Sequence, residues 1–243
     1  MSHSPEIGDG IRALNRGIDP TSMSPLIETL TRWVDPKTFR LLPVWFPETA
    51  RKQPIYKAGW NEQLTNRGAP KFEPNIKANK ALSRALGVSP KDRPNWTCCH
   101  IWGNDDEKYA SDRSEVNDPR YYSCPANMIL LPSPLKSFTD FLPQIKVALR
   151  LTAFRLFGFL PAGRTLPTEG QAGEWMPGNW RNGDIQGIVK INSKIRKSVE
   201  HRRRAIQSDF QESPGAYPNK QVEDTMHYWS EKIPEFNFGG NND

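Results

Sequence analysis

The chain has 243 residues, of which 36% are hydrophobic and 10% are aromatic, so it is polar for a globular protein yet able to build a core. No run approaches the roughly 20 apolar residues of a membrane span, and no secretory signal is expected at the start. Three cysteines favour a reducing, cytoplasmic location over a disulfide scaffold, and the net charge of +6 favours a polyanionic partner.

The N-terminal part of the sequence predicts a flexible arm followed by short helices. Residues 1–24 carry Ser, Pro, Gly and Asp with little apolar pattern, which is typical of an arm. Apolar residues at helical spacing predict helices over 25–34 and 75–87. The aromatic and proline-rich stretch 41–60 predicts extended pieces and turns. We therefore expect 25–95 to form a mainly helical region that packs on the core.

The centre of the sequence predicts a strand, a polar loop, a second strand and a helix. The β-prone runs 96–102 and 121–131 flank a loop that is rich in Gly, Asn, Asp, Ser and Pro. Residues 140–157 predict the clearest helix, with Asp140 as its N-cap. The charged residues expected on its outer side are Lys146, Arg150 and Arg155. The pattern predicts a mixed protein of the α+β class whose core is 96–158.

The C-terminal part of the sequence, 159–243, predicts loops around one basic helix. Gly, Pro and Trp concentrate over 159–187, which predicts an irregular connection. A helix is predicted over 190–210, and its first part, 190–204, carries seven Lys or Arg and one Glu. This unbalanced positive charge suits contacts to phosphate, and the alternative is a solvated helix face. A last short helix is predicted over 222–233.

Of the four histidines, His100 lies in the pattern that suggests chemistry. It follows Cys98 and Cys99 on the first predicted strand, and Asn127 lies on the second. Neighbours on a strand point to opposite faces, so these cysteines and His100 do not predict a structural zinc site or a Cys–His nucleophile. Cys98 and Cys124 are expected to be small buried side chains.

The order of a strand with His, a loop, a strand with Asn and a helix resembles the HNH, or ββα-metal, nuclease family. The matching segments are CCHIWG at 98–103 and ANMILLPSPLKS at 126–137, and the resemblance covers about 96–157. It implies a ββα-metal-like centre. It also implies that His100 is a general base that takes a proton from water, and that Asn127 holds the hairpin and orients His100.

The resemblance further implies one divalent metal ion, Mg²⁺ or Mn²⁺, that neutralises charge on the scissile phosphate. Two positions depart from the family pattern. Cys99 stands where many members have Asp or Glu, and Lys136 falls at the third motif position, where a charged Lys cannot bind a metal. Asp140, and next Asp118, are therefore the expected ligands, unless the hairpin is a degenerate copy of the fold.

The sequence-based hypothesis is a divalent-metal-dependent endonuclease that hydrolyses DNA, of the restriction or mobile-element type if it is sequence-specific, with RNA not excluded. The basic residues expected on the nucleic-acid backbone are Lys136, Lys197, Arg202, Arg203 and Arg204. Trp175 and Trp180 are expected either to stack on bases or to anchor a loop. The alternative function is a non-catalytic nucleic-acid-binding protein that keeps the hairpin as a scaffold. A third is a protein-interaction module whose basic helix meets an acidic partner.

Overall fold

The computed structural model describes residues 9–53, 64–69, 71–103, 114–212 and 219–237. The helices in these ranges are α1 (Gly10–Gly17), α2 (Pro20–Leu30), α3 (Pro36–Leu41), α4 (Ile76–Ala85), α5 (Pro119–Tyr122), α6 (Lys136–Phe141), α7 (Pro143–Phe157), α8 (Glu169–Ala172), α9 (Gly178–Arg181), α10 (Ser193–Glu212) and α11 (Asn219–Lys232). The strands are β1 (Trp33–Val34), β2 (Trp96–His100), β3 (Met128–Pro132) and β4 (Ile188–Val189).

The hairpin of β2 and β3 is linked by backbone pairing to other segments of the chain. The two strands pair antiparallel, with His100 at the end of β2 opposite Met128 at the start of β3. An isolated bridge joins Leu130 of β3 to Arg32, directly before β1. β1 in turn pairs parallel with β4. The hairpin is thus connected through its backbone to segments from both ends of the chain.

One hydrophobic core joins the hairpin to helices from both halves of the chain. Met128, Ile129 and Leu131 of β3 are fully buried, as is Leu149 of α7. The same cluster includes Ile195 of α10 and side chains of α4 and α11. Residues on both faces of β3 are buried, which explains why its sequence is continuously apolar rather than alternating.

The prediction of a mixed helix-and-strand fold is confirmed. The helices predicted over 75–87, 190–210 and 222–233 correspond to α4, α10 and α11, with ends that differ by a few residues. In the described part of the chain, no helix is both long enough and apolar enough to cross a membrane.

The segment predicted as an arm, 1–24, is helical over most of its described part, while 1–8 lies outside the described residues. Residues of this segment form α1 and the start of α2. Asp19 is the N-cap of α2, and its side chain accepts a hydrogen bond from the Thr21 backbone N–H at 3.0 Å. The helix predicted over 25–34 therefore starts earlier and ends before the chain enters β1.

The two hairpin strands are shorter than predicted. β2 ends at His100, and the run predicted as a strand over 121–131 starts in α5 and continues through a 3₁₀ turn at Pro125–Asn127. Asp118 initiates α5, because its carboxylate accepts from the Arg120 backbone N–H at 2.8 Å. A local cap and the prolines that follow it thus override the β propensity of the tyrosines.

The helix predicted over 140–157 is two helices, α6 and α7. Pro143 restricts Leu142 to an extended backbone, with φ −108° and ψ 98°, and this residue separates them. Asp140 therefore lies in the last turn of α6 and is not the N-cap of the long helix.

The connection predicted as irregular over 159–187 contains the short helices α8 and α9. Trp180 is fully buried there, and its ring packs edge-on against Trp33 with 5.6 Å between centroids. Trp175 is partly buried against the same core. Of the two roles considered for these tryptophans, packing is the one that their surroundings support.

Candidate functional site at the hairpin and the basic helix

The His100 imidazole is held at the end of β2 by Tyr122. Its Nε2 atom lies 2.9 Å from the Tyr122 carbonyl oxygen, which can only accept a hydrogen bond, so Nε2 donates. The imidazole also stacks on the Tyr122 ring, with centroids 5.8 Å apart and an interplanar angle of 21°. A neutral imidazole that donates from Nε2 carries its lone pair on Nδ1, which makes Nδ1 the basic nitrogen of this side chain.

Asn127 is a fully buried amide that ties the end of the hairpin to α5. Its Nδ2 donates to the carbonyl oxygens of Trp102 at 3.1 Å and Tyr121 at 3.2 Å, and its Oδ1 accepts from the Trp102 N–H at 2.8 Å. Asn127 and His100 therefore bind consecutive carbonyls, those of Tyr121 and Tyr122. The Asn127 amide thus joins the end of the hairpin to the residue that precedes Tyr122 in α5.

Asp140 lies near Cys99 rather than with the His100 imidazole. Its carboxylate forms an ion pair with Lys136, one turn earlier on α6. The negative charge of Asp140 and the side chain of Thr139 both act on the pKa of the Cys99 thiol, so the three side chains lie close together. Because consecutive side chains of a strand point to opposite faces, Cys99 faces α6 while the His100 ring packs on α5. Lys136, expected on the nucleic-acid backbone, is instead the partner of Asp140.

Asp118 lies elsewhere, in a cleft between α5 and α11. Its Oδ2 atom accepts from Nη2 of the Arg120 guanidinium at 2.6 Å, and its Oδ1 atom accepts from Nε at 3.0 Å. This hydrogen bonding raises the pKa of Arg120. The guanidinium also lies 5.1 Å from the ring centroid of Tyr121 and 5.0 Å from that of Tyr228. Asp118 is therefore held by an ordered cation of its own.

The carboxylates predicted as metal ligands do not fit a common metal site. Asp140 is paired with Lys136 and Asp118 is paired with Arg120, so a metal ion at either carboxylate would have to displace a cation. Within the described ranges, no three His, Cys, Asp or Glu side chains group as metal ligands. Residues 104–113 of the predicted polar loop lie outside these ranges.

The cleft beside Asp118 has a volume of about 1330 Å³ and is lined by both charges. Arg164 pairs there with Glu115, and both side chains are nearly buried. Asp224 and Glu231 of α11 add further negative charge to its lining. Because the cleft is lined by both positive and negative side chains, its charge does not indicate one class of ligand.

Lys146 and Arg150 lie on α7, and their side chains contact the end of β2 and the residues after it. The sequence prediction placed both on the outer side of the helix. Lys146 is buried, and its Nζ donates to the His100 carbonyl oxygen at 2.6 Å. The Arg150 guanidinium lies 4.3 Å from the ring centroid of Trp102. They are one helical turn apart on α7, so they share a face. This i, i+4 spacing could have predicted that the two basic side chains contact the same part of the structure, near the end of β2.

Arg202 and Arg203, predicted to contact nucleic acid, make hydrogen bonds within the fold. Arg202 is buried, and its Nη2 atom donates to both Glu48 carboxylate oxygens at 2.7 and 2.8 Å. Arg203 donates to the carbonyl oxygens of Leu41 at 3.0 Å and Asn237 at 2.7 Å. Their guanidinium groups fasten α10 to the rest of the fold, and contact of these two residues with a nucleic-acid backbone stays a prediction.

Other basic residues of α10 border an open groove against α4. The groove has a volume of about 440 Å³ and is lined by Arg84, Ser193, Lys194, Lys197, Ser198 and His201. Lys197 was predicted as a phosphate contact and lies in this groove. Arg204, also predicted, is exposed two turns farther along α10. Among the described residues, the groove lining contains no carboxylate.

Basic side chains of α4 lie close enough to one another and to Arg202 for their charges to repel. Burial lowers the pKa of Lys80, and the positive charges of Arg84, Lys77 and Arg202 lower it further. Burial and Arg202 likewise lower the pKa of Arg84. Mutual repulsion of this kind is relieved when an anion binds, because the anion favours the protonated forms.

A scan against protein-family models, a search of curated proteins and a search of solved structures each find no match to this chain. The functional argument therefore rests on the contacts, charges and burial of the residues themselves.

Proposed function

We propose that this protein binds nucleic acid, with DNA as the expected ligand, through the groove between α4 and α10. The observation that carries the proposal is the composition of the groove, whose lining has three cationic side chains, a histidine and two serine hydroxyls, with no carboxylate among the described lining residues. Cations and hydroxyls of this kind are the side chains that contact phosphate oxygens. The hairpin then serves as the scaffold that joins the two walls of the groove to the core.

The spacing of basic residues on α10 supports a linear polyanion as the ligand. Lys194, Lys197, His201 and Arg204 follow each other at intervals of three or four residues, so they share one face of the helix. With a rise of about 1.5 Å per residue, this face is about 15 Å long. Duplex DNA carries one charge per ~1.7 Å of its axis, so a face of this length meets several phosphates.

The test is the salt dependence of binding to a short duplex DNA of random sequence, followed by fluorescence anisotropy. The double variant Lys194→Glu/Lys197→Glu should bind at least about tenfold more weakly than wild type, and its slope of log K against log salt should be shallower by roughly 2. The matched control is Arg12→Glu/Arg16→Glu, which makes the same charge change on α1 and should retain more affinity. Equal loss in both double variants would reduce the effect to net charge and contradict the assignment of the groove.

Hydrolysis of DNA at His100 is a second candidate function, and the arrangement around Tyr122 favours it. The hydrogen bond from Nε2 fixes the ring and leaves the lone pair on Nδ1, which is the requirement for a general base. The buried amide of Asn127 holds the same part of the hairpin. Asp140 and Asp118 do not support the predicted metal site, so this candidate rests on the histidine alone.

Plasmid nicking in the presence of Mg²⁺ or Mn²⁺, and of EDTA, separates the two candidates. A scaffold role predicts intact plasmid with wild type under every condition. A nuclease predicts metal-dependent nicking that falls by about 10²–10⁴ in His100→Ala. The control is His227→Ala, which removes an exposed histidine of α11 and should behave as wild type.

A further inference from the structure

We propose that the ammonium group of Lys136 takes the place that a divalent metal ion would otherwise hold beside Asp140, so that the junction between the hairpin and α6 is built to work without metal. This inference concerns the hairpin and is independent of DNA binding at the groove of α4 and α10.

The junction consists of contacts that residues of α6 make with one another and with β2. Lys136 is the first residue of α6, and its Nζ forms an ion pair with the carboxylate of Asp140 one turn later. Thr139 is fully buried between them, and its hydroxyl donates to the Lys136 carbonyl oxygen at 2.8 Å. Thr139, Lys136 and Asp140 all lie close enough to the Cys99 thiol on β2 to act on its pKa. An ammonium, a carboxylate and a thiol therefore meet where the strand contacts the helix.

A second ammonium group reinforces the positive charge of the junction. Lys146 is buried, and its Nζ donates to the His100 carbonyl oxygen at 2.6 Å. Burial raises the pKa of the Cys99 thiol to about 11, while Lys146 and Lys136 act in the opposite direction. Both ammonium groups therefore act on the Cys99 thiol, which places them at the same junction.

The charges at the junction disfavour a divalent cation. A metal ion bound to Asp140 would replace one ion pair and would lie beside the like charge of Lys136. Removing that ammonium and supplying a ligand in its place should reverse the preference. Lys136→His does both, because an imidazole at this position lies on the same face of α6 as Asp140 and near Cys99.

The first measurement is a titration of the wild-type protein with Mn²⁺, in which the electron paramagnetic resonance signal of free Mn²⁺ reports binding. We expect no loss of the free signal beyond that of an Asp140→Asn variant. Binding of one equivalent to wild type that disappears in Asp140→Asn would overturn the proposal. This arm uses the natural chain and does not depend on how any Lys136 variant folds.

The second measurement is the absorption spectrum of Lys136→His titrated with Co²⁺. We expect one equivalent to bind, with a thiolate-to-cobalt band in the near ultraviolet that disappears in Lys136→His/Cys99→Ser. Lys136→Met is the matched control, because it removes the ammonium without adding a ligand, and it should give no such band. A folded Lys136→His protein, verified by circular dichroism, that binds no Co²⁺ would contradict the proposal.

Discussion

Asn127 shows how one buried side chain fixes the end of the hairpin. Its amide hydrogen-bonds the N–H and the carbonyl of Trp102 and the carbonyl of Tyr121. All three residues are buried, so these backbone groups need a partner within the protein. The motif in the sequence was sufficient to single out Asn127 and His100. The Tyr122 carbonyl and ring that hold His100 could not be foreseen, because they depend on α5, which the sequence predicted as a strand.

Replacing Asn127 by Ala should lower the free energy of unfolding by at least about 3 kcal/mol. The substitution leaves three buried backbone groups without partners, and each such group costs ~1–3 kcal/mol. Urea denaturation followed by tryptophan fluorescence measures the change. Asn66→Ala is the control at an exposed position, where we expect a change within about 0.5 kcal/mol. A cost for Asn127→Ala as small as that of the control would show that the amide is not structural.

Glu28 is a buried carboxyl whose replacement should stabilise the protein at neutral pH. Burial raises its pKa, the negative charge of Asp184 adds to this, and a hydrogen bond from Asn179 opposes it. Its Oε1 atom has no hydrogen-bond partner among the residues that the structure describes. A raised pKa in the folded state means that the contribution of Glu28 to stability is fully present at pH values below its unfolded pKa. This contribution is lost as the pH rises through the folded value.

Glu28→Gln should therefore melt above wild type at pH 7, and the difference should vanish toward pH 4. Each kcal/mol corresponds to roughly 2–4 °C in a protein of this size. Thermal unfolding at a series of pH values provides the comparison. Glu223→Gln, at an exposed position on α11, should give no pH-dependent difference. A constant difference between Glu28→Gln and wild type at all pH values would exclude titration of Glu28 as its cause.

At the scale of elements, α10 shows which part of the site the sequence could predict. The run of basic residues over 190–204 was recognisable, but the sequence prediction assigned all of its selected basic residues to one phosphate-binding surface. Ile195, Val199, Arg202 and Ile206 follow at helical spacing, and all four are buried, so Arg202 lies on the apolar side of the helix. Periodicity could have separated it from the exposed residues. Its partner Glu48, 154 residues away, could not be read from the sequence.

Glu200 offers a gain-of-function test of the exposed face of α10. It is an exposed carboxylate one turn from Lys197 and Arg204, so it opposes their attraction for phosphate. Glu200→Lys should strengthen binding to duplex DNA and make the slope of log K against log salt steeper by up to about 1. Glu223→Lys on α11 makes the same change of charge outside the groove. An equal effect of both variants in the anisotropy titration would argue against α10 as the binding helix.

At the scale of the whole molecule, the groove depends on contacts between distant parts of the chain. One wall, α4, precedes the hairpin, and the other, α10, follows it by about 60 residues. The backbone bridge of Arg32 to β3, the pairing of β1 with β4 and the ion pair of Arg202 with Glu48 connect segments that lie before and after the hairpin in the chain. Such long-range pairings decide where a predicted helix lies. Apolar spacing therefore predicted α4, and the basic run predicted α10, but neither pattern showed that the two helices form one surface.

The ion pair of Arg202 with Glu48 should therefore act on stability rather than on DNA binding. Arg202→Met leaves a buried carboxylate without its partner and should cost about 3–5 kcal/mol in urea denaturation. The double variant Glu48→Gln/Arg202→Met removes both charges and should recover much of this loss. At temperatures where Arg202→Met is folded, its affinity for duplex DNA should remain within about threefold of wild type, because the guanidinium lies outside the groove lining. If folded Arg202→Met loses as much affinity as Lys194→Glu/Lys197→Glu, Arg202 contributes to phosphate binding and this prediction is wrong.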